Sequence, residues 1–105
     1  MIYTAKTESG QVRGMTSGDT HITVFKGVPF AAPPVGKNRW RVPQPVEPWE
    51  GIRDCYLYGD AGMQDRYTGT GFYDREFHND VDQPMSEDCL YLNIWTPAKT
   101  PGEKL

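Results

Sequence analysis

The side chains able to act as nucleophile and base are Ser9, Ser17 and Ser86 with His21 and His78, and the thiols of Cys55 and Cys89. A serine raised into reach on a strained strand-to-helix turn needs the flanking pattern Gly-x-Ser-x-Gly, because only small neighbours permit that turn. The nearest approach, Gly14-Met15-Thr16-Ser17-Gly18, has Thr16 at its centre and the composition of a turn. A catalytic histidine must lie within hydrogen-bond reach of its nucleophile and be oriented by a third group. Nothing in the spacing of His21 or His78 supplies that, and both read as surface histidines. Asp80 and Asp82 beside His78 lack the regular oxygen ligands and glycine of a calcium loop, and no Cys or His pair has zinc spacing. They read as solvated loop charges. Gly69-Thr70-Gly71 is too short for a nucleotide-binding turn. The expectation is therefore no catalytic residue, no metal and no cofactor within these residues.

The elements that would position such groups are limited by size. The sequence of 105 residues can hold at most one modest hydrophobic core. With 11 Lys and Arg against 14 Asp and Glu, the formal charge is -3, and no basic stripe is present to neutralise phosphates. Nucleic acid is not expected as a partner. No basic leader precedes an apolar stretch and no run is long enough for a membrane helix, so neither export nor membrane insertion is expected. Cys55 and Cys89 allow one disulfide by arithmetic, but two reduced thiols are the expected state, in keeping with a cytoplasmic location.

Nine prolines and eleven glycines interrupt every window in which a helical repeat could build up, so the expectation is strands and long loops. Gln11-Val12-Arg13-Gly14 and Ile22-Thr23-Val24-Phe25-Lys26-Gly27 are β-prone runs separated by the turn cluster Thr16 to Asp19, which predicts a hairpin. From Pro29 to Pro48 the prolines enforce extended or turning backbone that runs over a surface. A short strand is expected within Gly51 to Leu57, ending by Gly59. Residues 62–85 show neither regular period and read as one long loop. Leu90-Tyr91-Leu92-Asn93-Ile94-Trp95-Thr96 sets Leu, Leu and Ile on one face and Tyr, Asn and Trp on the other, which predicts a central strand over 90–96, buried on both sides. Such a strand without neighbours is an edge that invites other chains, so the isolated chain is expected to self-associate through Leu90, Leu92, Ile94 and Trp95.

Four stretches in one order resemble the N-terminal part of the type-B carboxylesterases, the group that includes cholinesterases. They are Gly10-Gln11-Val12-Arg13-Gly14; Phe25 through Gly36, with Gly27-Val28-Pro29-Phe30 and Pro33-Pro34 inside it; Arg39-Trp40 with Pro43 and Trp49; and Ser86-Glu87-Asp88-Cys89-Leu90-Tyr91-Leu92-Asn93. The resemblance covers nearly the whole sequence. It implies a single partial domain over 1–105: the start of an α/β-hydrolase fold, with a small N-terminal antiparallel sheet and the first strands of the central sheet.

The resemblance further implies a serine carboxylesterase whose triad and glycine-rich oxyanion loop lie downstream, with the remainder of that polypeptide as partner and a small-molecule ester as substrate. It implies an ion pair between Arg39 and Glu87, against the alternative of two solvated charges. Loop 62–85 would lie at the rim of the substrate gorge, with Tyr67, Phe72 and Tyr73 either shaping the entrance or fastening the loop to the body. The family usually closes this loop with a disulfide. Cys89 matches its second cysteine, but the first falls near Gly62-Met63-Gln64, so the loop is expected to lack that clip; Cys55 reads as a small buried apolar side chain. Two further readings are a non-catalytic relative of the same fold and a stand-alone β module acting in binding.

Overall fold

The structure is a computed structural model that describes residues 1–65, 71 and 84–105. The residues nominated for the gorge rim, Tyr67, Phe72 and Tyr73, lie outside the described residues, as do His78, Asp80 and Asp82.

Among the described residues six short strands form two three-stranded sheets: β1 (Thr4–Lys6), β2 (Gln11–Arg13), β3 (Met15–Thr16), β4 (Thr23–Pro29), β5 (Ile52–Asp54) and β6 (Tyr91–Thr96). One sheet has the order β1-β2-β5 and the other β3-β4-β6. A single 3-10 turn, Gly36–Asn38, interrupts the proline-rich stretch. Beyond Pro29, which ends β4, that stretch is otherwise without strand or helix.

The pairing differs from the hairpin expected between 11–14 and 22–27. The hairpin that forms is β3 with β4, in which Met15 opposes Val24 and Thr16 opposes Thr23. Gln11–Arg13 turns away and pairs antiparallel with β1 on one side and parallel with β5 on the other. Gly14, buried between the two runs, breaks the strand and hands the chain from one sheet to the other. Strand β1 was not expected. Three residues cannot display a period of two, and β1 forms because Thr7 Oγ1 closes a tight turn onto the carbonyl of Gly10, at 2.8 Å, and thereby sets the register Thr4–Arg13.

Strand β4 carries the core. Thr23, Val24, Phe25 and Val28 are buried, and Val12, Phe25, Val28 and Cys55 pack together with Ile2, Ala5 and Trp49 around them. At Lys26 the ladder to β6 shifts register, and Lys26 N–H leaves the sheet to donate to the carbonyl of Cys55 at 2.8 Å. Cys55 N–H in turn donates to the carbonyl of Arg13 at 2.8 Å, so this one irregularity ties the two sheets together. The bulge needs Gly27: its φ is +69°, and a Cβ there would lie 2.5 Å from the carbonyl oxygen of Leu57.

Strand β6 departs from the expected central position. It pairs with β4 alone among the described residues, and Leu92, Asn93, Ile94 and Trp95 are exposed. The alternation was a true signal for a strand, but burial of both faces needs layers that the described residues do not contain.

Candidate functional site at the neck of the long loop

The two ends of the loop that the sequence assigned to 62–85 are held against each other. Ala61 N–H donates to the carbonyl of Pro84 at 2.9 Å, and Ser86 N–H donates to the carbonyl of Ala61 at 2.9 Å, forming a parallel bridge between Ala61 and Met85. Immediately after this neck comes Ser86, whose Oγ accepts from Asp88 N–H at 3.0 Å and shapes the turn that leads into β6.

That turn presents Glu87 to Arg39. Arg39 Nε and Nη2 both donate to the same oxygen, Glu87 Oε2, at 3.0 and 2.7 Å. Arg39 is placed by the 3-10 turn, because its N–H donates to the carbonyl of Gly36, a residue with φ +57°. The pair therefore links the proline-rich stretch to the loop neck across 48 residues of sequence. Its side chains keep 52% and 43% of their exposure. Water screens the charges, and the link acts chiefly as a geometric tie.

Next to the pair, Pro34, Trp40 and Met63 join Arg39 and Glu87 around an apolar hollow of about 310 Å³. Trp40 is 98% exposed and has a φ of 60°. A left-handed conformation costs a non-glycine residue about 1–2 kcal/mol, so the flanking turn bonds hold this indole outward against its backbone preference. Sequence reading missed this conformation, since tryptophan, unlike glycine or asparagine, does not advertise a positive φ.

On the other side of the neck, burial and then the Asp88 carboxylate push the Tyr91 phenol above its ordinary value, while Arg53 acts the other way. Tyr91 and Asp88 border an open hollow of about 560 Å³ with Lys26, Arg53 and Tyr58, in which the Lys26 ammonium stands 4.5 Å from the Tyr58 ring centre.

Ser17, Ser86 and His21 are occupied by turns. His21 Nδ1 lies 3.2 Å from Asp19 Oδ1, which looks like the outer half of a triad. Ser17, however, gives its hydroxyl proton to the carbonyl of Asp19 and accepts from Asp19 N–H, and the His21 side chain is 90% exposed. Together they build the β3–β4 turn. The His21 backbone N–H is the larger cause, and its ring the lesser, of the lowered Asp19 carboxyl. Cys55 is buried and Cys89 half-buried, and both are free thiols.

The motifs that sequence reading grouped meet in space. Trp49 Nε1 donates to the carbonyl of Gln11 at 2.9 Å, and its ring lies so close to Gly10 that a Cβ there would fall 2.5 Å from Nε1. A family profile described as "Carboxylesterase family" matches residues 3–105.

The chain belongs to the carboxylesterase family. It is 44% identical over 100 residues to an acetylcholinesterase of Bungarus fasciatus, covering 92% of this chain and 16% of that protein. It is 42% identical over 104 residues to carboxylesterase 4A of Bos taurus, covering 96% of this chain and 19% of the relative. Among solved structures, a carboxylesterase of Geobacillus stearothermophilus superposes with a TM-score of 0.70 at 32% identity, over 94% of this chain and 17% of that one. The chain thus spans less than a fifth of the length of these carboxylesterases, matching their N-terminal part, and its strands are the beginning of an α/β-hydrolase fold.

Proposed function

We propose that this chain is the N-terminal scaffold of a serine carboxylesterase that hydrolyses uncharged or weakly polar carboxylic esters. The observation that carries the reading is the match to the carboxylesterase family over residues 3–105, accompanied by the superposition on a solved carboxylesterase. In such a reaction a serine hydroxyl adds to the ester carbonyl while a histidine takes its proton. The alcohol leaves with that proton, and water then releases the acid and restores the serine. Backbone N–H groups hold the negative oxygen of each tetrahedral intermediate.

None of these groups comes from this chain. Ser17, Ser86 and His21 are engaged in or exposed on turns, which supports placing the chemistry in another stretch of polypeptide. The contribution of this chain is the first strands, the Arg39–Glu87 tie at the loop neck and a rim loop whose Tyr67, Phe72 and Tyr73 either shape the gorge entrance or fasten the loop to the body. A reducing, cytoplasmic setting suits the free thiols Cys55 and Cys89.

The test is hydrolysis of a p-nitrophenyl ester and labelling by a serine-directed phosphonate. The polypeptide encoded by the complete reading frame is expected to turn over the ester and to be labelled once. The 105-residue chain is expected to do neither. Stoichiometric labelling of the short chain, or an inert long one, overturns the proposal.

A further inference from the structure

We draw no further inference here: the strongest candidate, the apolar hollow of about 310 Å³ between the outward Trp40 and the loop neck, carries nothing because nothing in the structure shows what covers it.

Discussion

The side chain of Asn93 replaces a missing rung of the β4–β6 ladder: its Oδ1 accepts from the backbone N–H of Gly27 at 3.0 Å, where the bulge has carried that N–H out of register. The bulge also sends Lys26 N–H to Cys55, so Asn93 stabilises the irregularity that joins the two sheets.

Asn93→Ala is expected to lower stability by about 0.5–1.5 kcal/mol, the usual net worth of one hydrogen bond. Gly27→Ala is expected to cost more, above ~2 kcal/mol, because strain at positive φ adds to a clash with the backbone of Leu57. Urea unfolding monitored by tryptophan fluorescence measures both. Equal losses would mean that Gly27 is not constrained by its φ of +69° and its contact with Leu57.

The Arg39–Glu87 tie should contribute little to stability despite its short distances. Both donors share one carboxylate oxygen and both side chains are about half exposed. A double-mutant cycle with Arg39→Ala and Glu87→Ala is expected to give a coupling of about 0.2–1 kcal/mol that fades towards ~1 M salt. Retention of the full coupling in high salt would place the pair in a drier setting.

Burial pushes the Cys55 thiol up, with Asp54 adding to the rise and Arg53 opposing it. A folded-state value above the unfolded one means that the native chain holds this proton more tightly. The associated stability is fully present below the unfolded thiol value and is lost as pH rises through the folded one. Stability measured against pH is expected to fall on the alkaline side, and less steeply in Cys55→Ala. Alkylation of Cys55 in the folded chain should be slow and should accelerate on unfolding, whereas the half-buried Cys89 reacts first.

The loop neck offers a place for sulfur. A Cβ built on Gly62 would lie 3.7 Å from Cys89 Sγ. Gly62→Cys is expected to oxidise to a 62–89 disulfide and, from loop closure, to stabilise the chain by up to about 3.5 kcal/mol. Denaturation with and without reductant measures the difference. A variant that stays reduced under air oxidation would show that the neck opens more widely than the Ala61–Met85 bridge implies.

Sequence alone determined features governed by local backbone chemistry. Proline keeps residues 30–48 out of regular structure apart from the turn at Gly36–Asn38. Glycine supplies the left-handed backbone that tight turns and bulges need, and Gly27 and Gly36 have φ of +69° and +57°. The β-prone runs became β2, β4, β5 and β6, and Cys55 is buried as a small apolar side chain. Motif order was enough to suggest the family and to nominate Arg39 and Glu87, residues 48 positions apart that nothing local could join.

Tertiary structure decided the partners. β1 and β3 lie outside the β-prone runs and stayed invisible, and Gln11–Arg13 was given to the wrong neighbour, because strand pairing is set by contacts distant in sequence. Parallel pairing of β2 with β5 depends on contacts some forty residues apart, and its free energy is set by the shared core of Val12, Phe25 and Cys55 rather than by either segment. The rung supplied by Asn93 likewise exists because distant backbone arrives beside it. The alternation of residues 90–96 stated that both faces of β6 want cover, while the fold decides what stands beside it: β4 on one edge and, among the described residues, no strand on the other. Local sequence encodes the demand for burial; only the folded chain, through long-range register, determines how that demand is met.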